Sequence, residues 1–312
     1  MQKLSIIVPC YNEEETVKLF YDEAGPVLAS VGDIEWEFIF VDDGSADGTI
    51  LALRRLAEED SHVRYLSFSR NFGKEAAMYA GLQAARGDYV CIMDVDLQDP
   101  PSLLPELLRS VREEGYDCAA VRRVTRKGEP RVRSFFARMF YKIVNKISRT
   151  EIVDGARDYR LMTRQMVDSI LEITEVNRFS KGIFSWVGYN TRWVETENVP
   201  RAAGKTKWSF FKLLIYALDG VIAFSTAPLA ISSILGLLFC AISFLAIIFV
   251  IVRQLVWGGS AFGWPSLVCI ILFLTGIQLF CIGILGQYIS KIHMEVKDRP
   301  VYIVRERGGS DD

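Results

Sequence analysis

Over its first third the chain alternates short, β-branched apolar runs with longer segments of helical spacing. LSIIVP (4–9), EFIFVDD (37–43) and YVCIMDVD (89–96) are short and rich in Val, Ile and Phe, and they predict strands. EEETVKLFYDEAGPVLASV (13–31), GTILALRRLAEED (48–60) and GKEAAMYAGLQAARG (73–87) predict helices between them. Strand and helix in alternation predict an α/β domain with a mostly parallel sheet. All three strands finish in polar residues: Asn12 and Glu13, Asp42 and Asp43, Asp94 and Asp96. Ligands of open parallel sheets bind beyond the carboxyl ends of the strands, so the three polar ends predict one shared site.

Toward the C-terminus the pattern changes. Pro228–Val252 and Trp264–Tyr288 are two runs of 25 residues without a charge. At about 1.5 Å per residue each can span a hydrocarbon core of about 30 Å, and neither carries the polar face of a soluble helix. Two transmembrane helices, 228–252 and 264–288, are therefore predicted. WSFFKLLIYALDGVIAF (208–224) reads as part of an interfacial amphipathic helix over 208–227. Arg201, Lys205, Lys207 and Lys212 precede the first span, and Lys291, Lys297 and Arg299 follow the second. The loop between them, RQLVWGGSAFG, holds one Arg. This bias places the sheet domain and both termini in the cytoplasm, with the chain integral to an inner or plasma membrane. The N-terminal apolar run is too short for a signal peptide. The predicted organisation is a cytosolic domain over 1–207, the interfacial helix, the two spans and a cytosolic tail over 289–312.

A formal net charge of −2 gives no bulk attraction to nucleic acid. It averages over a strong asymmetry: Arg122–Arg149 holds ten Lys and Arg against one acid, Glu129. Beside two membrane spans, such a stretch predicts contact with the lipid bilayer, each basic residue worth about 1 kcal/mol there. The six cysteines show no CxxC or metal-ligand spacing, and Cys240, Cys269 and Cys281 lie in apolar runs, which points to reduced thiols. Only His62 and His293 are available, so histidine-rich zinc sites and His-based triads are poorly supplied.

The densest chemistry is CIMDVDLQDPP (91–101). On an extended backbone Asp94 and Asp96 share a face. Two carboxylates at a strand end suit a hard divalent cation, Mg²⁺ or Mn²⁺, that shares its coordination with water and substrate phosphates. Gln98 adds a carbonyl oxygen if the chain bends after Asp96. The blander interpretation is a solvated acidic loop. In VDDGSADGT (41–49), Asp42 is placed to accept from a nucleobase edge, with Gly44 and Ser45 allowing close approach. The same residues also make an ordinary turn, with Asp47 capping the helix that begins near Thr49. In VPCYNEEE (8–15), Pro9 ends the strand, Tyr11 offers a stacking face and Glu13 a ribose contact. Neither segment is a P-loop, and the chain has no GxGxxG, which removes the usual warrant for ATPase and dinucleotide readings.

SIIVPCYNEEE, VDDGSADGT, NFGKEAAMYAGLQAARGDYVCIMDVDLQDPP and GKTKWS, in that order, resemble family 2 glycosyltransferases. More narrowly they resemble the polyprenyl-phosphate glycosyltransferases, the group of bactoprenol glucosyltransferase and dolichyl-phosphate mannose synthase. The resemblance runs across nearly the whole chain and implies a nucleotide-sugar-binding, GT-A-like α/β domain with a DxD metal site, followed by two transmembrane helices. It implies that Pro9, Tyr11, Glu13 and Asp42 contact the donor nucleoside, and that Asp94, Asp96 and Gln98 address the metal and diphosphate. Arg201 and Lys205, in RAAGKTKWS, would meet the donor diphosphate and offset leaving-group charge. Asp158, in VDGARDYRLMTR, falls where the family places an acid close to the acceptor, as general base or orienting group. A phosphate oxygen is already ionised at pH 7, so a strong base is not required. Asp158 and Asp96 are thus the catalytic candidates. Arg122, Arg131, Arg133 and Arg160, within an acceptor-binding part over about 121–207, are candidates for clamping the acceptor phosphate, because guanidinium forks match phosphate oxygens. The QxxRW motif of processive relatives is absent, and RFSKGIFSWVGYNT occupies the comparable region, which implies addition of a single sugar.

The expectation is a membrane-anchored, metal-dependent enzyme. It would transfer a hexose with inversion from a nucleotide sugar, UDP-glucose first, to undecaprenyl or another polyprenyl phosphate at the cytosolic face. GDP-mannose or a UDP-aminopentose would serve the same chemistry. A non-catalytic nucleotide-sugar-binding membrane protein and a nucleotide-sugar hydrolase are readings from other classes, and two spans leave little room for a flippase. The tail DRPVYIVRER contains a strand-like run able to pair with a neighbouring copy, which favours a homo-oligomer.

Overall fold

Strand β1 (Gln2–Cys10) runs parallel to β2 (Ile34–Asp42), in register from Gln2↔Ile34 to Cys10↔Asp42. Their side chains divide between two cores with period two. Leu4, Ile6, Val8, Cys10, Phe38 and Phe40 enter one core, and Ile7, Ile39 and Val41 the other. Strands covered on both faces read as nearly continuous apolar runs, which is why these segments were legible in the sequence. The computed structural model describes residues 2–124, 145, 153–197, 222, 225–257 and 263–309.

Eight strands form one sheet in the order β7-β5-β6-β4-β1-β2-β3-β8, adding β3 (Val63–Phe68), β4 (Tyr89–Ile92), β5 (Cys118–Arg123), β6 (Ala156–Thr163), β7 (Thr191–Thr196) and β8 (Val304–Gly308). Neighbours pair in parallel except around β6 and β8, so the sheet is mostly parallel. Helices α1 (Glu14–Ala29) and α2 (Thr49–Glu59) cover one face, and α3 (Lys74–Ala84) the other. α4 (Leu104–Arg112) joins the first layer; α5 (Arg164–Leu171) and α6 (Ser180–Trp186) join the second. Phe20 of α1 meets Phe38 and Phe40 edge-on, with ring centroids 6.0 and 6.1 Å apart. On the other face α3 lies very close to the sheet. A Cβ on Gly81 would stand 2.2 Å from Ile7 Cγ2, and Ala76, Ala77 and Ala80 are buried beside it.

The direction of β6 positions the site. Antiparallel to β4, with Ile92 opposite Arg160, it begins at the edge where β4 ends. Asp94 and Asp158, each two residues beyond that pair, therefore arrive at the same place. The expected strand through Asp96 is corrected here. β4 stops at Ile92, and Asp94–Asp96 lies in the turn that follows. Asp96 Oδ1 accepts from Gln98 N at 3.2 Å, and Leu97 adopts φ 55°, so alternation along a strand does not govern Asp94 and Asp96.

Helices α7 (Ala227–Trp257) and α8 (Trp264–Val296) contain the two apolar runs, and both are long and apolar enough to cross a membrane. Their large apolar side chains face outward; Leu237 is 74% exposed and Leu255 81%. Contiguous exposed apolar surface of this extent marks a face for a membrane or another protein. Glu295, near the end of α8, accepts from the backbone N–H groups of Val176 and Asn177, each at 3.1 Å. The chain then returns to the sheet as β8, paired antiparallel with β3. There Arg54 and Tyr65 both bond Glu306, and Tyr302 stacks on Phe68 at 4.9 Å. The strand-like run in the tail is thus paired with β3 of its own chain, as the terminal strand of the sheet. Most of the predicted interfacial helix, 208–227, lies outside the described residues.

The loops at the carboxyl edge are bound to one another. Asp43 donates its N–H to Cys10 O, and its carboxylate accepts from Phe72 N at 2.6 Å and Gly73 N at 2.9 Å. β1, β2 and the approach to α3 are joined by this one residue. Burial pushes the Asp43 carboxyl up to about 6, against the two N–H donors that favour its charged form. A folded value above the ordinary one of about 3.9 means that this stabilisation is complete only below that value and is lost as pH rises through about 6. Asp43→Asn removes the titration. The unfolding free energy of the wild type relative to Asp43→Asn is expected to fall between about pH 4 and pH 7 and to stay level above, measured by denaturant unfolding in detergent.

Candidate active site

The first two loops interlock at the sheet edge. Asn12 N donates to Ser45 Oγ and Ala46 N donates to Asn12 Oδ1, both at 2.8 Å. Gly44 holds φ +66°, and a Cβ there would stand 2.3 Å from the backbone carbon of Arg70, so only glycine fits this crossing. Asp47 Oδ1 accepts from Thr49 N at 3.1 Å and so satisfies the first N–H of α2, but the N-cap residue is Gly48 and not the expected Asp47. Asp42 is buried, and its two oxygens accept from Ser45 N and Ser67 Oγ at 3.0 and 2.7 Å. Its carboxylate therefore shapes the loop, and a base contact would use a remaining lone pair. Pro9 is buried in the sheet opposite Val41, Tyr11 is exposed at the rim, and Glu13 Oε2 accepts from Thr16 Oγ1 at 2.7 Å.

The second half of the site forms around an ammonium group. Lys74 Nζ lies 2.6 Å from Asp94 Oδ1 and 2.5 Å from Asp158 Oδ2, and so joins the end of β4 to the start of β6. Lys74 and, at longer range, Lys181 and Arg160 hold the Asp158 carboxyl well below the usual carboxylate range, against the opposing effect of burial. Asp158 and Asp94 together raise Lys74 above the usual lysine value, although burial opposes them. The backbone on either side of Lys74 is pinned. Gly73 N–H is held by Asp43, and the Glu75 carboxylate accepts from both N–H and hydroxyl of Ser180. Asp99 is buried beneath, 3.4 Å from Arg157 Nε, and burial pushes it up to about 6 while Arg157 opposes the shift.

The structure brings together Pro9, Tyr11, Glu13, Asp42, Asp94, Asp96, Gln98 and Asp158 on strand ends and loops of one sheet edge. It separates the arginines. Arg122 pairs with Glu195 across β5 and β7, whereas Arg160 is buried, with its guanidinium 3.7 Å over the Phe184 ring. Arg131, Arg133, Arg201 and Lys205 lie outside the described residues. The residue that sequence reasoning missed is Lys74. One signal was available: a lysine opening a helix opposes the helix dipole, and a local misfit of that kind marks a site with another purpose.

Among the described residues, no three His, Cys, Asp or Glu side chains converge as a closed metal cage. The edge offers instead two carboxylates and a carboxamide on one turn, beside a spot where Asp94 already binds a positive charge. That donor set fits a hard divalent cation that completes its coordination with phosphate and water.

Residues 5–171 match the family model described as glycosyl transferase family 2. The SfII prophage-derived bactoprenol glucosyl transferase of Shigella flexneri is 43% identical over 304 residues, covering 97% of this chain and 98% of that protein. The prophage bactoprenol glucosyl transferase homolog of Escherichia coli K12 is 41% identical over 303 residues, covering 97% and 98%. Among solved structures, glucosyl-3-phosphoglycerate synthase from Mycobacterium tuberculosis, in complex with Mn²⁺, UDP-glucose and phosphoglyceric acid, aligns with TM-score 0.48 and 20% identity over 71% of this chain and 78% of that one. With a GT-A-like α/β domain, two apolar C-terminal helices and this match over nearly its full length, the chain belongs to glycosyl transferase family 2 and is a glycosyltransferase.

Proposed function

We propose that the protein transfers one hexose, glucose from UDP-glucose, to a polyprenyl phosphate such as undecaprenyl phosphate at the cytosolic membrane face. The observation that carries this reading is the meeting of Asp94 and Asp158 on one cation. Asp94, on the turn read as the donor side, and Asp158, on the strand read as the acceptor side, both pair with Lys74 Nζ, at 2.6 and 2.5 Å, and this supports the reading. The relatives' names, bactoprenol glucosyl transferase over 97% of this chain, support the acceptor and the sugar.

In this reading the nucleoside lies over the interlocked loops, against Tyr11 and within reach of Glu13 and Asp42, and the diphosphate extends toward Asp94. Asp94, Asp96 and Gln98 would hold Mg²⁺ or Mn²⁺. When bound, the ion supplies neutralisation of the charge that develops on the departing nucleoside diphosphate. An oxygen of the lipid phosphate attacks the anomeric carbon opposite the leaving group; the glycosidic C–O bond to the diphosphate breaks, and the configuration inverts. Asp158, held ionised beside Lys74, is suited to orienting the acceptor and poorly suited to taking a proton. The phosphate nucleophile is already ionised, so no proton need be removed. Of the candidate arginines, Arg131 and Arg133 would serve the acceptor phosphate, Arg122 and Arg160 being engaged by Glu195 and the Phe184 ring, and Arg201 and Lys205 would serve the donor diphosphate.

α7 and α8 anchor the domain where a head group can reach it. The end of α8 and the tail bind the sheet domain directly, so domain and tail share one side of the bilayer. The Lys/Arg flanks make that side cytosolic.

Purified protein in detergent, given undecaprenyl phosphate, Mg²⁺ or Mn²⁺ and labelled UDP-glucose, GDP-mannose or a UDP-aminopentose in parallel, is expected to move label into lipid from UDP-glucose. Asp96→Asn is expected to cut that turnover by about two orders of magnitude or more with an unchanged thermal unfolding profile. Full activity in that variant would defeat the metal-ligand assignment. Calorimetric titration with UDP and with GDP is expected to give the tighter binding for UDP, and the reverse order would name a different donor.

A further inference from the structure

The ammonium of Lys74 stands on Asp94, one of the oxygens that the proposed divalent ion would use. It does so from a fixed base: Gly73 N–H is bound by Asp43, and Glu75 is bound by Ser180, one residue to either side. The position is also open to ions, because 39% of the Lys74 side chain and 25% of that of Asp94 are exposed. Lysine and metal ion therefore compete for one carboxylate. A free divalent ion arriving at Asp94 must displace a charge-assisted hydrogen bond and remain beside a like charge.

A nucleoside diphosphate changes the sign of that encounter. Its oxygens can take the ammonium as it leaves Asp94, while Lys74 keeps its contact with Asp158. We propose that Lys74 is a resident counter-cation that makes metal loading depend on the donor: it excludes the free ion from Asp94 and admits it together with the nucleoside diphosphate. Between turnovers the same residue keeps Asp94 and Asp158 neutralised and in place, so the donor turn and the acceptor strand stay aligned. Lys74 is a positioning residue in the empty site and a diphosphate contact in the loaded one. The inference rests on the reading of Asp94 as a metal ligand.

The test is direct binding of Mn²⁺ to the full-length protein in detergent, followed by electron paramagnetic resonance of the free ion, with and without UDP. Wild-type protein is expected to bind Mn²⁺ about tenfold or more tightly when UDP is present. Lys74→Met is expected to bind free Mn²⁺ about tenfold more tightly than the wild type, the order of one charge-assisted hydrogen bond, and to lose most of the enhancement by UDP. Lys74→Gln carries the same expectation, should the methionine variant fail to fold. Lys181→Met is the control for general charge, because Lys181 acts on Asp158 at longer range, with no ion pair to Asp94 among the described residues. An effect equal to that of Lys74→Met, or an unchanged free-ion affinity in both Lys74 variants, overturns the proposal. Wild-type protein that binds no Mn²⁺ even with UDP or GDP present would instead overturn the metal reading on which the proposal stands.

Discussion

Carboxylates gathered at one sheet edge repel each other unless positive charge lies among them, and between Asp94 and Asp158 that charge is the ammonium of Lys74. Lys74 joins Asp94, just beyond β4, to Asp158, at the start of β6. The two acids come from segments more than sixty residues apart and meet because β6 runs antiparallel to β4. Without a cation between them, burial of two ionised groups this close would be costly. The lysine in turn depends on its surroundings. Asp43 fixes the turn before α3, and the small residues of α3 let the helix sit hard against β1.

The second apolar helix reaches this edge through a short segment. Glu295, near the end of α8, is bonded by the N–H groups of Val176 and Asn177, and Lys291 donates to Asn177 Oδ1. Three residues farther on, Ser180 bonds Glu75, the neighbour of Lys74. On the opposite side of the sheet the tail closes against β3 through Glu306, whose pKa Arg54 and Tyr65 lower to about 2. The sheet domain is thus attached to the second apolar helix at two separate places. Two attachments define the position of the sheet domain against that helix better than one flexible linker does.

Neighbouring acids at the end of β2 have different tasks, which composition does not reveal. Asp42 accepts from Ser45 and Ser67 and forms its own loop, whereas Asp43 crosses to the loop before α3. Asp47 accepts from Thr49 at the start of α2. Sequence reasoning weighed Asp42 as a ligand contact and Asp47 as a cap but gave Asp43 no role. The difference is made by which direction each residue faces on leaving the strand.

What the sequence determined alone was the local and the repetitive. β-branched runs with polar ends specified β1, β2 and β4 and the edge that carries the site, because burial on both faces writes itself into every position of a strand. Charge-free runs specified the two apolar helices, because length and composition are all that such a helix requires. The tertiary structure decided the rest. It reversed β6 and so brought Asp158 to Asp94, bent the chain after Met93 so that strand alternation no longer applied, and paired the tail with β3. It also placed Lys74 between acids that lie 20 and 84 residues away in the chain. Those outcomes depend on contacts distant in sequence, where the energy belongs to a pair and neither residue alone records its partner.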